Sequence, residues 1–245
     1  MNETTLKAAK MRRNYQNCTM IGRRCSFLMT LLSIGLILGI TAIGFTFHFH
    51  EMETIAVRIN RIERIIKDLR AAKNIDKIRQ ANIQRVMKLI SHYNSSMPAN
   101  VKYKIASEIY EMSLKYTNLD VNLICATITH ESAGTWDPKV TSEAGAMGLM
   151  QIIPSTGVFL AHYEDINWTS PEDVLYNPIL NIRMGCRHLS TLIDLYGVDG
   201  GLAAYNGGEK RAAMWLAHNK AAGILWEETQ TYIPAVLKLY QQFRD

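Results

Sequence analysis

The stretch that decides the fold class runs from Asp120 to Ser132 and reads DVNLICATITHES. Four of its apolar side chains recur at helical spacing: Val121, Ile124, Cys125 and Ile128. Asp120 is of a residue type that commonly caps helix N-termini. The sequence therefore predicts a helix that begins after Asp120 and ends at Glu131-Ser132, with one face buried in a core.

The same helical pattern continues on both sides of this stretch. Ile105, Ile109, Met112 and Tyr116 form an earlier apolar stripe, and Ser170-Pro171 is typical of another helix start. No alternating strand pattern of useful length occurs. Residues 98–245 are therefore predicted to form a mainly α domain that is large enough for its own core.

The charge of +5 over 245 residues is unevenly distributed. Residues 1–26 carry +5 and residues 48–97 carry +5, whereas residues 98–245 carry −5. A nucleic-acid-binding domain needs a basic face on its folded part, so we expect no nucleic-acid partner. Four cysteines are too few for a disulfide-built scaffold, and Cys125 and Cys186 are expected to be buried thiols, with a disulfide as the alternative.

Residues 27–47, FLMTLLSIGLILGITAIGFTF, contain no charge and are long enough to cross a bilayer as a helix. Six basic residues precede them: Lys7, Lys10, Arg12, Arg13, Arg23 and Arg24. The positive-inside rule then places residues 1–26 in the cytoplasm, with Cys18 and Cys25 as palmitoylation candidates, and the rest outside. The alternative is a signal peptide cleaved near Ala42-Ile43-Gly44, although its apolar region is normally shorter.

Residues 48–97 are predicted to form a helical stalk. Ile55, Ile59, Ile62, Ile66 and Leu69 follow a 4-3-4-3 spacing, and a second apolar set (Ile75, Ile78, Ile83, Val86 and Ile90) resumes out of register. Two heptads fall short of the three or four that indicate a coiled coil, so self-association through the stalk remains a hypothesis. A basic amphipathic helix lying on anionic lipid is the alternative. Ser95-Ser96-Met97-Pro98 marks the predicted boundary.

Several catalytic motifs are missing. The chain has no P-loop, no G-x-G-x-x-G and no G-x-S-x-G, and His130-Glu131 is not a zinc motif because position 134 is Gly134. We therefore expect no cofactor and no metal. Glu131 is the candidate acid, since a carboxyl at the C-terminal end of an apolar helix faces the negative end of the dipole and apolar neighbours. Both effects raise a carboxyl pKa, as general acid catalysis requires.

Four further motifs follow Glu131-Ser132 in order. They are SEAGAMGLMQIIP at 142–154, NPILNI at 177–182 with Gly185, AYNGG at 204–208 and ETQTYI at 228–233. Together they resemble the catalytic domain of the soluble lytic transglycosylases, a family with a goose-type-lysozyme-like fold, over about residues 98–240. The resemblance implies that Glu131 is the sole catalytic acid and base. It also implies cleavage of the β-1,4 bond between N-acetylmuramic acid and N-acetylglucosamine in peptidoglycan, with formation of a 1,6-anhydromuramic acid end.

The resemblance also implies roles for the other motif residues. Ser132 is expected to orient or hydrogen-bond Glu131, and Gly145 and Gly148 to let the backbone approach the sugar. The remaining substrate-binding candidates are Ser142, Ala146, Met150, Gln151, Tyr205, Asn206 and Tyr232. Tyr232 is expected to bond the Glu131 carboxyl and help to hold its proton. The competing interpretation is that Met150, Tyr205 and Tyr232 are core residues.

Departures from the family pattern leave alternatives open. His188 stands where the family usually has Tyr, a position interpreted as packing, and Trp136 either stacks on a sugar or caps the core. Asp137 and Glu143 are candidates for a second carboxylate, which would favour hydrolysis by a lysozyme-type muramidase. We expect both to be solvent-exposed, and Glu227-Glu228 to start the last helix.

The sequence therefore predicts a single-pass type II protein of a bacterial cytoplasmic membrane, with a host or a phage gene as the two alternative origins. Its catalytic domain would lie in the periplasm or outside the cell and act on peptidoglycan glycan strands. A peptidoglycan-binding assembly protein that does not cleave is an alternative of another class, and the intact Glu131 argues against it.

Overall fold

The computed structural model describes the backbone of residues 3–244 and the side chains of residues 10–12, 26, 28–49, 52 and 57–244. Within that part, eight helices follow one another: α1 (Glu3–Tyr93), α2 (Ala99–Lys115), α3 (Val121–Glu131), α4 (Pro154–Tyr163), α5 (Pro171–Leu175), α6 (Pro178–Gly207), α7 (Glu209–Ala217) and α8 (Glu227–Arg244). The predicted mainly α class is confirmed. Some predictions concern side chains outside the described set: Lys7, Arg13, Cys18, Arg23, Arg24, Cys25, Phe27 and Ile55.

The predicted helix starts are present. Asp120 Oδ1 accepts hydrogen bonds from the amides of Asn122 and Leu123, both at 2.9 Å. Ser170 Oγ accepts one from the Asp173 amide at 3.1 Å, and Pro171 occupies the first turn of α5. Each cap satisfies amides that have no partner inside the helix.

The chain divides into two compact units, residues 1–72 and residues 73–245. The N-terminal unit consists of the first part of α1. It contains Leu28–Phe49, a 22-residue apolar stretch long enough to cross a membrane and exposed throughout. The described members of the first predicted stripe are exposed as well: Ile59, Ile62, Ile66 and Leu69.

The boundary of the C-terminal unit differs from the predicted one. Although α1 ends at Tyr93 and α2 begins at Ala99, as the tract at 95–98 predicts, the last part of α1 belongs to the compact unit. Ile83, Val86 and Ile90 are at most 2% exposed and lie in its main core. The second apolar set does not keep the heptad register of the first set because part of it packs into the core of the C-terminal unit.

The main core of the C-terminal unit lies between the end of α1 and helices α2, α3, α6 and α8. A smaller cluster joins the loop after α3 to α4 and α5 through Met147, Ile152, Leu160, Leu175 and others. In that loop, Met147 forms isolated antiparallel bridges to Thr141 and Ile152. Helix α6 is kinked at Gly197, whose φ is +69°. The buried thiols of Cys125 and Cys186 are free, so the disulfide alternative is wrong.

Candidate active site

Glu131 is the last residue of α3, which confirms its predicted position at the helix end. Helix α8 packs against α3 and carries Tyr232, which is 1% exposed. Tyr232 Oη donates a hydrogen bond to Glu131 Oε1 at 2.6 Å, the contact that the sequence predicted. The His130 ring meets the Tyr232 ring edge-on at 4.8 Å between centroids and so closes one side of the phenol.

The electrostatic setting of Glu131 suits a proton donor. Burial in low-dielectric surroundings raises the pKa of its carboxyl to about 7, and the negative charge of Glu228 acts in the same direction. The Tyr232 hydrogen bond opposes this rise in pKa because a donated bond stabilises the ionised carboxylate. The expectation that Tyr232 helps to hold the proton is therefore wrong in sign: burial holds the proton, and Tyr232 stabilises the charge left after its transfer.

The two candidates for a second carboxylate are exposed. Asp137 Oδ1 accepts a hydrogen bond from the Lys139 amide, and within the described residues neither Asp137 nor Glu143 contacts Glu131. The acid that influences Glu131 is Glu228, in the first turn of α8. The predicted helix start at Glu227-Glu228 is confirmed, but the effect on Glu131 depends on tertiary packing that no local pattern reveals.

Ser132 does not have its predicted contact. It is fully buried, and its Oγ accepts a hydrogen bond from the Trp136 amide at 3.1 Å rather than bonding Glu131. Trp136 is also fully buried, with Nε1 donating to Thr129 Oγ1 at 3.0 Å, so its core interpretation holds and the sugar-stacking one is wrong. Together these bonds close the turn that follows the Glu131 backbone.

The loop from Ser142 to Gly148 contains two glycines with φ of +80° and different surroundings. A Cβ on Gly145 would meet nothing within 4 Å, so the space beside this backbone is empty. Gly148 is buried, and its Cβ would lie 2.3 Å from the Leu175 carbonyl oxygen. Its small size therefore serves packing and not approach to a sugar. Ser142 Oγ accepts a bond from the Ala146 amide at 3.0 Å and so stabilises the loop tip.

Met150 is a core residue. Its side chain is fully buried, with Sδ 3.9 Å from the Cys186 thiol, so the prediction that it lines the cleft is wrong. Its backbone nevertheless organises the site, because the amide donates to Asn181 Oδ1 and the carbonyl accepts from Tyr205 Oη, both at 2.8 Å. The adjacent Gln151 is half-buried.

The side-chain amide of Gln151 is hydrogen-bonded through its nitrogen. Its Nε2 donates to the carbonyls of Gly148 at 2.8 Å and Val140 at 3.3 Å. Among the described residues, no group donates to its Oε1, which can therefore accept a hydrogen bond from a ligand. The backbone φ of +46° at Gln151 is an uncommon conformation for a side-chain-bearing residue and is typical of functional turns.

Tyr205 and Asn206 lie in the last turn of α6. Asn206 Oδ1 accepts a bond from Thr229 Oγ1 at 2.7 Å, which ties α6 to α8. Burial raises the pKa of Tyr205 well above its ordinary value, and the charge of Glu131 adds to this rise, so the phenol and the carboxyl share one electrostatic environment.

A groove of about 570 Å³ adjoins this site. Its walls include Phe159, Tyr163, Arg187, His188, Thr191 and Glu209. The His188 ring lies 5.3 Å from the Tyr205 ring, so the position predicted to be packing also lines an open surface. Within the described residues, no group of three His, Cys, Asp or Glu side chains is placed to hold a metal ion.

Comparison with known proteins gives a family match and several relatives. Residues 108–225 match the family described as the Transglycosylase SLT domain. The chain is 37% identical over 105 residues to the transglycosylase of Enterobacteria phage PRD1, covering 42% of this chain and 35% of that one. It is 34% identical over 128 residues to the membrane-bound lytic murein transglycosylase C of Histophilus somni, covering 52% and 31%.

Among solved structures, the 70 kDa soluble lytic transglycosylase of Escherichia coli is 25% identical, with a TM-score of 0.47 over 68% of this chain and 30% of that chain. The chain thus spans about a third or less of the length of the relatives compared here.

Proposed function

We propose that this chain, whose residues 108–225 match the transglycosylase SLT family, is a membrane-anchored peptidoglycan lytic transglycosylase. It would cleave the β-1,4 bond between N-acetylmuramic acid and N-acetylglucosamine and leave a 1,6-anhydromuramic acid end. The observation that carries the proposal is one half-buried residue, Glu131, whose carboxyl has a pKa raised to about 7 by desolvation and contacts no second carboxylate among the described residues.

The first step is protonation of the leaving group. With a pKa of about 7, a large fraction of Glu131 is neutral at neutral pH and can donate its proton to the glycosidic oxygen. The bond from the anomeric carbon to that oxygen breaks, and the N-acetylglucosamine side leaves with its hydroxyl complete. The carboxylate that remains is stabilised by the hydrogen bond from Tyr232.

The second step closes the anhydro ring. The substrate's own 2-acetamido oxygen can stabilise the cationic anomeric carbon, so the enzyme needs no second carboxylate at that face. The 6-hydroxyl of the same muramic acid then attacks the anomeric carbon and transfers its proton to Glu131. The carboxyl is neutral again, the proton balance closes, and exclusion of water favours ring closure over hydrolysis.

The neighbouring residues would bind the sugar without taking part in proton transfer. Gln151 Oε1, which has no donor among the described residues, is suited to the N–H of an acetamido group or to a sugar hydroxyl, and the empty space beside Gly145 allows close approach. Tyr205 and Asn206 would stabilise the geometry of the site, because Tyr205 bonds the Met150 carbonyl and Asn206 bonds Thr229.

Digestion of purified peptidoglycan sacculi by the full chain in detergent tests the proposal. Mass spectrometry should find fragments lighter by one water than hydrolysed muropeptides, with no reducing muramic acid end. Reducing ends would instead support the muramidase alternative. No fragments at all, from a protein shown to be folded and to bind sacculi, would support the non-cleaving alternative.

The anchor is part of the same proposal. Residues 27–47 would cross the cytoplasmic membrane once, with residues 1–26 in the cytoplasm and the catalytic domain on the far side. The apolar, fully exposed Leu28–Phe49 supports this arrangement. Replacing Leu36 and Ile40 by Arg should move the protein from the membrane to the soluble fraction, since each charge at a span centre costs about 3 kcal/mol. Retention in the membrane would contradict the anchor.

The exposed stripe of the N-terminal unit, from Ile59 to Leu69, is where self-association would occur. Cross-linking of full-length protein in detergent, compared with an Ile62→Lys and Ile66→Lys double variant, tests this part. Loss of the cross-linked dimer in the double variant is the expected result, and a monomer in both proteins would contradict it.

A further inference from the structure

The groove of about 570 Å³ carries charges that a neutral glycan does not require. It begins beside the proposed active site, because His188 lines it and packs against Tyr205. Phe159 and Tyr163 supply an aromatic wall on α4, and both are more than half exposed. Arg187 on α6 and Glu209 at the start of α7 supply one charge of each sign.

Arg187 belongs to a cluster with excess positive charge. Glu164 Oε2 pairs with Lys115 Nζ at 2.8 Å, and Glu164 Oε1 pairs with Arg187 Nη1 at 2.9 Å. One carboxylate therefore faces two cations, and the cluster has a net charge of +1. The Glu164 side chain is 5% exposed, whereas those of Lys115 and Arg187 are 44% and 31% exposed. Of these two cations, Arg187 is the one that lines the groove.

The Arg187 guanidinium is also held in place. It lies over the Tyr163 ring at 5.2 Å, in addition to its bond with Glu164. A fixed guanidinium binds a carboxylate at a lower entropic cost than a mobile lysine does, and its remaining donors suit a planar anion.

Glu209 supplies the opposite charge. Tyr196 Oη donates to its Oε2 at 3.2 Å, and among the described residues no cation pairs with it. Glu209 is exposed and lines the same groove as Arg187. A ligand that uses both residues must carry an anionic group and a cationic group.

The chemistry of peptidoglycan points to the occupant. Its N-acetylated sugars have no charge at neutral pH, whereas the short peptide attached to muramic acid carries carboxylates and amines. We infer that the groove binds this stem peptide, with Arg187 receiving a carboxylate and Glu209 an amino group. The inference rests on the proposed function, because it places the peptide next to the bond that Glu131 would cleave.

The test compares two substrates: glycan strands that retain their peptides, and the same strands freed of peptides by an amidase. For the full chain in detergent, kcat/KM is measured on both, and the readout is the ratio of the two values. Arg187→Gln and Glu209→Gln should each lower this ratio about five- to tenfold relative to the unmodified protein, since a charge-assisted hydrogen bond is lost. Arg187→Lys should restore part of it.

Lys104→Gln and Glu172→Gln are matched controls, because both side chains are exposed and make no hydrogen bond or ion pair among the described residues. They should leave the ratio unchanged. General damage to folding lowers both rates together and does not move the ratio, and Glu209→Gln tests the groove independently if the Arg187 variant does not fold.

An unchanged ratio in both groove variants would overturn the inference. If both rates fall equally in a variant whose thermal unfolding matches that of the unmodified protein, the groove serves the glycan instead. Failure of the proposed function looks different: the unmodified protein would then cleave neither substrate or would leave reducing muramic acid ends on both.

Discussion

At the scale of single residues, the Glu131 carboxyl is tuned by two opposing effects. Burial and the charge of Glu228 favour the neutral acid, while the Tyr232 hydrogen bond favours the anion. A group that must first donate and then accept a proton benefits from this balance, because neither form is strongly preferred near neutral pH.

Burying the Glu131 carboxyl should lower the free energy of unfolding. The Glu131 carboxyl has a pKa of about 7 in the folded state, against an ordinary 4.5, so it binds its proton more tightly when the protein is folded. The resulting loss of folding stability is absent below pH 4.5, grows between the two pKa values and is complete above pH 7. Glu131→Gln should therefore raise the free energy of unfolding at pH 8 by about 1–3 kcal/mol. Urea unfolding measures this, and the same variant should not cleave.

At pH 4 the stability gain of Glu131→Gln should vanish. Glu143→Gln, which removes an exposed carboxylate, serves as the control and should change stability little at either pH. An equal gain from Glu131→Gln at both pH values would contradict a raised pKa.

The sign of the Tyr232 contribution can be measured separately. Because its hydrogen bond lowers the pKa of Glu131, Tyr232→Phe should move the alkaline limb of the kcat/KM profile to higher pH. Tyr240→Phe is the matched control, since Tyr240 Oη donates to Asp120 Oδ2 at the same 2.6 Å but at the other end of α3. A shift to lower pH in Tyr232→Phe would restore the interpretation that Tyr232 holds the proton.

At the scale of structural elements, Asn181 links the loop after α3 to α6. This fully buried side chain donates to the carbonyls of Met147 and Leu175 and accepts from the Met150 amide. Buried backbone groups in a loop need such partners because no regular ladder satisfies them. The Met150 carbonyl, and through it Tyr205, is thereby held beside the proposed site.

The two glycines of this loop form a matched pair for testing its packing. Gly145→Ala adds only the backbone strain of a positive φ, and we expect it to cost about 1 kcal/mol. Gly148→Ala adds the same strain and also forces a methyl against the Leu175 carbonyl and Asn181, so it should cost about 3 kcal/mol or more. Thermal unfolding of both variants gives the comparison, and equal losses would show that Gly148 is not packed as described.

At the scale of the whole molecule, α1 contributes to two compact units. Its residues up to 72 form one unit, and its last turns supply Ile83, Val86 and Ile90 to the core of the other. Ion pairing adds to this attachment, with Arg79 Nη2 lying 3.0 Å from Glu111 Oε1 on α2. The end of the predicted stalk is therefore a structural part of the C-terminal unit.

Truncations should locate the boundary. A fragment of residues 73–245 should fold and unfold cooperatively, whereas one of residues 98–245 loses three buried aliphatic side chains, worth about 5 kcal/mol or more together. That loss is comparable to the whole stability of a typical domain. Equal stability of the two fragments would contradict this assignment.

Point variants in the full chain provide the control for the truncations. Ile83→Ala should destabilise the protein by about 2–4 kcal/mol because the side chain is fully buried. Ile62→Ala, at a side chain that is 55% exposed, should change the stability of the C-terminal unit little.

The sequence alone determined the features that depend on local pattern. Apolar spacing and caps predicted the helical class, the uncharged run predicted a helix long enough to cross a membrane, and the end of the apolar helix indicated Glu131 as the candidate acid. These succeed because a helix period, a cap and a motif are written in residues close together along the chain.

Only the tertiary structure decided what each predicted side chain touches. Ser132, Gly148 and Met150 proved to be packing residues, the end of α1 joined the core, and Glu228 acts on Glu131 from 97 positions away. The physical reason is that burial and electrostatics depend on distances through space. Residues adjacent in a motif can face opposite sides of a loop, while residues remote in sequence can share one low-dielectric environment.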